Sequence, residues 1–230
     1  MKTGRHQRSD RVLVFDLDDT LYLEADFARS GFQAVSAWAL AELGIAGFFD
    51  KAWALFEKAP RGDLFDETLR QLGVEVDPVV VQEMVAVYRS HAPEIQLLPD
   101  ARRFLARRSD YAGFAIVSDG YHDTQQRKIE ALGIASICDP IIKTDKWGRE
   151  FWKPHARSFL TVQEHFQLSG AAFTYIGDNP EKDFIAPKTL GWHTVRIRRE
   201  GGLHARKEVR SEIDAARTIT SLDQLPQALA

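Results

Sequence analysis

The sequence predicts an α/β protein built on a doubly wound parallel sheet, with a small all-helical block inserted in it. Three observations carry this prediction. Short apolar runs at Val12–Phe15, Phe114–Val117 and Phe173–Ile176 read as buried strands. Helical patterns separate the later runs at the spacing of strand–helix–strand units. Between the first run and the second lies a long stretch with helical periodicity and no convincing strand.

In chain order, Met1 to Asp10 is polar and basic and is expected to be disordered. The strand from Arg11 to Phe15 runs into Asp16-Leu17-Asp18-Asp19-Thr20, three acids within four positions. Carboxylates this close repel one another unless a cation or a proton joins them. Glu24 to Leu43 carries Phe27, Phe32, Val35, Trp38, Ala39 and Leu43 at helical spacing, with Gly44 as its stop. Ala52–Phe56 and Leu64–Leu72 are further helices, parted by Ala59-Pro60-Arg61-Gly62-Asp63. Asp77-Pro78 caps and opens another, Val79 to Tyr88. The insertion is about 70 residues, too long for an ordinary connection.

Strand and helix alternate from Leu97 onward. Pro99 opens a helix ending near Arg108, Tyr111–Val117 is a strand, and Tyr121–Leu132 is a helix stopped by Gly133. Ile141–Lys143 is a short strand, Pro154–Phe166 a helix, and Thr174–Ile176 a strand. Pro180–Leu190 is a helix stopped by Gly191, and His193–Ile197 is a strand. Ser221-Leu222-Asp223-Gln224-Leu225 reads as a capped short helix.

Chemistry-bearing residues gather at the ends of these elements. Asp16 and Asp18 follow the first strand, Ser118 ends the second, Lys153 precedes Pro154 at a helix start, and Gly177-Asp178 with Asp183 follows the third. These four motifs, in this order over residues 11 to 200, resemble the haloacid dehalogenase-like (HAD) hydrolase superfamily. Most members of that superfamily are magnesium-dependent phosphatases. The resemblance implies a Rossmann-like core over 1–22 and 97–230, with a helical cap over 23–96.

Within that resemblance, Asp16 is the expected nucleophile and Asp18 the general acid and base. Ser118, the backbone N–H of Asp119, and Lys153 would hold the phosphoryl group, and Thr20 would brace the loop by hydrogen bonding. Mg2+ would be held by Asp16, Asp178 and the backbone carbonyl of Asp18, with Asp183 holding a metal-bound water or steadying Lys153. Position 119 is Asp where many relatives have Asn, which brings an extra negative charge close to the phosphate. The superfamily's dehalogenases lack an acid at the place of Asp18, which speaks against carbon–halogen cleavage.

In the insertion, Phe27, Trp38, Phe48, Phe49, Trp53 and Phe56 read as core rather than as a ligand platform. Arg61, between Pro60 and Gly62, is the candidate substrate contact of the cap, and His122 is a further candidate beside the second motif. The basic run Arg196, Arg198, Arg199, His204, Arg206, Lys207 and Arg210 reads as a solvated face.

Composition narrows the rest. The chain has 230 residues, 44% of them hydrophobic, enough for a sizeable buried core. A net charge of -3 gives no bulk electrostatic case for nucleic acid. No apolar run approaches the roughly 18 residues a membrane helix needs, and the polar start lacks the apolar core of a secretory signal. The single cysteine, Cys138, excludes an internal disulfide and suits a reducing cytoplasm. The expected function is a cytoplasmic phosphatase acting on a small phosphorylated metabolite. A phosphomutase using the same aspartyl-phosphate, and a partner-binding protein retaining the fold, remain open as alternatives.

Overall fold

A computed structural model describes residues 9–58 and 62–229. Its centre is a six-stranded, all-parallel sheet in the order β3-β2-β1-β4-β5-β6. The strands are β1 (Ser9–Phe15), β2 (Tyr111–Ser118), β3 (Ile141–Lys143), β4 (Phe173–Gly177), β5 (His193–Ile197) and β6 (Arg217–Ile219). The order reverses at β1, which is where an open α/β sheet places its binding crevice. Phe15 pairs with Ile116 on one side and with Ile176 on the other. That register brings Asp16, Ser118 and Asp178 out at one end of the sheet.

The chain divides into two compact units, Met1–Glu24 with Gln96–Ala230, and Ala25–Ile95. In the first, Val12, Val14, Phe173, Tyr175, Phe159 and Phe184 are fully buried in one cluster. Each such side chain contributes about 1.5–3 kcal/mol on leaving water. Helices α5 (Pro99–Leu105), α6 (His122–Leu132), α7 (Arg157–Phe166), α8 (Ile185–Thr189) and α9 (Leu225–Leu229) belong to this unit. Gly133 ends α6 in the left-handed region at φ 65°, where a side chain would be strained.

The second unit is helical: α1 (Glu24–Leu43), α2 (Phe48–Lys58), α3 (Leu64–Gln71) and α4 (Pro78–Ser90). Asp77 caps α4 by accepting from the Val79 N–H at 2.8 Å, with proline at the first turn. Phe48 is buried in its core, and Trp38, Phe49, Trp53 and Phe56 are packed against that core. Phe27 is buried as well. Arg61 lies outside the described residues, as do residues 1–8 of the polar start. Ser9 and Asp10, expected to be disordered, already belong to β1.

Several elements depart from the expectation. Helix α8 begins at Ile185 rather than Pro180, because Asn179 and Asp183 hold a turn in its place. The Asp183 carboxylate accepts from the Asn179 N–H at 2.9 Å, and the Asn179 side chain accepts from the Glu181 N–H at 3.1 Å. Such local bonds compete with helix formation. Helix α7 starts at Arg157, three residues later than expected. The strand β6 was not foreseen; it is an edge strand of three residues, of which only Ile219 is buried.

The basic run is only partly a solvated face: Arg206 and Arg210 are exposed, as expected. Arg196 and Arg199 are both buried. Arg196 pairs with Asp214 at 3.1 Å and donates to the carbonyls of His204 and Lys207. Arg198 pairs with Glu208 and Lys207 with Glu181. Among the described residues, no helix is long and apolar enough to cross a membrane.

Candidate active site

Asp16 is buried at the end of β1, its N–H bonded to the carbonyl of Ile176 at 2.8 Å. That bond locks the residue to the neighbouring strand β4. Lys153 reaches the same place from the segment before α7, and its side chain is fully buried. Its ammonium lies 2.7 Å from Asp16 Oδ1, 2.8 Å from Asp183 Oδ1 and 2.9 Å from the Tyr175 hydroxyl. Burial pulls the Lys153 pKa down, but Asp16 and Asp183 outweigh it and hold it well above its ordinary value. Lys153 is therefore a fixed cation.

Asp16, Asp178 and Asp183 are all buried, with carboxylate oxygens that lie within 4.8 Å of one another. Gly177 makes the approach possible, since a Cβ there would sit 2.4 Å from the Asp183 carboxylate. Burial raises Asp16, Lys153 opposes the rise and Asp183 adds to it, and the balance leaves Asp16 pushed up to about 7. Burial, then Asp183 and Asp16, push Asp178 well above the carboxylate range. A buried, oxygen-only donor set whose members repel one another suits a hard divalent cation.

Asp18 stands on the turn beyond. Its Oδ1 lies 2.7 Å from the Lys128 ammonium and also accepts from the Tyr22 hydroxyl; its Oδ2 accepts from Gln125 at 3.0 Å. Burial raises its pKa, but Lys128, Tyr22 and Gln125 outweigh that and hold it below the ordinary value. Ser118 is fully buried and accepts from the same Gln125 amide at 2.5 Å.

Asp119 faces the protein. Its Oδ1 accepts from the Thr144 hydroxyl at 2.7 Å and from the Lys153 N–H at 3.0 Å, and its Oδ2 pairs with Lys182 at 2.9 Å. Burial raises its pKa, yet Lys153 and Lys182 together bring it below the usual range. Thr20 does not brace the loop through its side chain: the hydroxyl is buried without a protein partner, and the brace runs through its carbonyl. Arg199 donates to that carbonyl twice, at 3.1 and 2.7 Å.

The sheet thus brings together Asp16, Asp18, Ser118, Asp119, Lys153, Asp178 and Asp183. His122 is exposed at the start of α6, with its ring on Asp123. Tyr22, Gln125, Lys128, Thr144, Tyr175 and Lys182 were not foreseen as site residues. Cys138 is buried, and burial pushes its thiol up to about 12, so it is unreactive.

A parallel sheet with its acids at the point of strand reversal defines a doubly wound α/β enzyme. The chain belongs to the haloacid dehalogenase-like hydrolase family, whose model matches residues 13–197. It is 27% identical over 196 residues to a glyceraldehyde 3-phosphate phosphatase of Methanocaldococcus jannaschii, covering 80% of this chain and 83% of that one. It is 25% identical over 230 residues to a phosphoserine phosphatase of Thermus thermophilus, covering 82% and 89%. The fold is similar to that of the HAD hydrolase YfnB of Bacillus subtilis, solved bound to magnesium, with a TM-score of 0.68 and 21% identity over 96% of this chain and 99% of that one.

Proposed function

We propose that this hydrolase is a magnesium-dependent phosphatase that cleaves a small phosphorylated metabolite through an aspartyl-phosphate at Asp16. The observation that carries the reading is the placement of Lys153, whose ammonium touches both Asp16 and Asp183 while fully buried. A nucleophilic carboxylate aimed at an anionic group needs charge compensation at that spot. The phosphatase names of the two relatives support the reaction and the size class of the substrate.

In the first step, an Asp16 oxygen bonds to phosphorus as the phosphorus–oxygen bond of the ester breaks. Asp18 is held as the anion by Lys128, Tyr22 and Gln125 before substrate binds. It takes up a proton as the phosphoryl anion arrives beside it and delivers that proton to the departing oxygen. In the second step, Asp18 takes a proton from water, whose oxygen bonds to phosphorus and releases Asp16 and inorganic phosphate. Ser118 and the Asp119 N–H hold phosphoryl oxygens, while Lys153 fixes the nucleophile and Asp183 fixes Lys153. Asp16, Asp178 and the Asp18 carbonyl would hold magnesium, and YfnB's bound magnesium supports that choice of ion. When bound, magnesium offsets the negative charge of the phosphoryl group. Cytoplasmic action is consistent with a lone, buried and unreactive cysteine.

A panel of phosphorylated metabolites assayed with and without magnesium tests the proposal. Turnover should require the metal and should fall by several orders of magnitude in Asp16→Asn. Retention of even a tenth of the activity by that variant would sink the nucleophile assignment.

A further inference from the structure

Asp18 and Ser118 sit on different strand ends, yet one side chain touches both. The amide nitrogen of Gln125 lies 3.0 Å from Asp18 Oδ2 and 2.5 Å from Ser118 Oγ. One turn further along α6, Lys128 pairs with the other Asp18 oxygen at 2.7 Å. Both side chains are buried, although they are polar residues of a helix that shows Asp123, Arg127 and Glu130 to solvent. Burying an amide and an ammonium is costly unless each meets a partner, and here the partners are two groups of the site.

We propose that Gln125 and Lys128 are positioning residues. They fix the Asp18 carboxylate and the Ser118 hydroxyl relative to each other, so that the group handling the leaving-group proton and the group gripping the phosphoryl oxygen stay in register. The geometry explains why both are needed. The Asp18 side chain has two free torsions, and donors on both of its oxygens define the plane of the carboxylate. Gln125 occupies a lone pair of Ser118, which leaves the hydroxyl proton free to point at a phosphoryl oxygen. Among the described residues, the one other contact of that hydroxyl, to the Asp119 carbonyl at 3.5 Å, is too long to hold the proton. Neither residue touches the reacting atoms, and each acts through a residue that does.

The inference rests on the phosphatase reading, and the two can be tested apart. Kinetics of Lys128→Met and Gln125→Leu are to be measured alone and combined with Asp18→Asn, with thermal unfolding of every variant. Lys128→Met should lower kcat about tenfold or more with KM little changed, since displacing a catalytic group by about 1 Å can cost up to about a hundredfold. In the Asp18→Asn background the same change should cost less than about twofold, because its target is already gone. Gln125→Leu keeps the volume and removes the donor. It should lower kcat and also weaken inhibition by inorganic phosphate about fivefold, because Ser118 loses its orientation. Arg127→Ala, on the solvent face of α6, should change neither constant. Equal losses with and without Asp18→Asn would overturn the proposal, as would unchanged phosphate inhibition in Gln125→Leu. If Lys128→Met fails to fold, the Gln125→Leu cycle decides. If Asp18→Asn alone leaves turnover intact, the acid–base reading itself falls, and the proposal with it.

Discussion

The ammonium of Lys182 lies 2.9 Å from Asp119 Oδ2. The carboxylate at position 119, which from sequence looked like surplus negative charge beside the phosphate, is thereby compensated inside the protein. Thr144 and the Lys153 N–H take up its other oxygen. Through its side chain, Asp119 is a structural acceptor.

That pairing makes a prediction about order. Lys182→Met should lower kcat/KM about tenfold, because the uncompensated Asp119 charge then repels an anionic substrate. Adding Asp119→Asn should restore part of the loss. Coupling within such a contact is worth about 0.5–3 kcal/mol. Strictly additive losses in the double variant would show that Lys182 acts independently of Asp119.

Asp178 shows the opposite balance. Burial and the neighbouring Asp183 and Asp16 disfavour its charged form, so the metal-free protein bears a cost at this position. The isosteric, neutral Asp178→Asn should relieve it and raise Tm in the presence of a chelator by about 2–4 °C, the equivalent of about 1 kcal/mol for a chain of this size. The same change should abolish the Tm increase that added magnesium is expected to give the wild type by mass action. Thermal unfolding with chelator and across a magnesium titration reads both. A variant still stabilised by magnesium to the wild-type extent would remove Asp178 from the ligand set.

The strand ends were legible because apolar runs with acids, a serine or a glycine after them are local patterns. Asp16, Ser118 and Asp178 were found that way. Lys128 and Gln125 were not, since polar residues on a helix look alike in sequence whether solvent or a carboxylate faces them. Their target, Asp18, lies more than 100 residues before α6. Arg196 and Arg199 in the basic run were missed for the same reason, because the acids and carbonyls that pair with them become neighbours only in the fold. Helix α8 was overextended because the Asn179 and Asp183 side chains form a turn where the residue types alone permit a helix.

Asp100 supplies a pH dependence. It is buried, and it accepts from Arg199, from the Ser221 hydroxyl at 2.9 Å and from the Leu222 N–H at 2.7 Å. Burial raises its pKa, but these partners outweigh it and leave the group below the ordinary carboxylate value. A depressed native pKa gives stability that is complete above the unfolded value of about 3.9 and is lost as pH falls through the native one. Asp100→Asn should therefore cost about 1.5–3 kcal/mol at pH 7, the range for hydrogen bonds to a charged group. The gap to wild type should narrow below about pH 4. Urea unfolding of both proteins at the two pH values checks this, and a gap independent of pH would contradict it.

Arg199 links that anchor to the loop that carries Asp18. One nitrogen meets Asp100, while two others donate to the Thr20 carbonyl, two residues beyond Asp18. A guanidinium can make all three bonds because its donors are held in a rigid plane, whereas an ammonium on a flexible stem is a point charge. Arg199→Lys keeps the charge and loses the fork. It should retain most of the pairing with Asp100 and leave the Thr20 carbonyl under-bonded. The loop would then loosen where Asp18 must be held, so kcat should fall about tenfold while KM for the best substrate changes little. Thermal unfolding separates this from global damage: Arg199→Lys should remain more stable than Arg199→Met, which loses both links. A lysine variant with full kcat would show that the Thr20 carbonyl needs no second donor and that the loop is held from elsewhere.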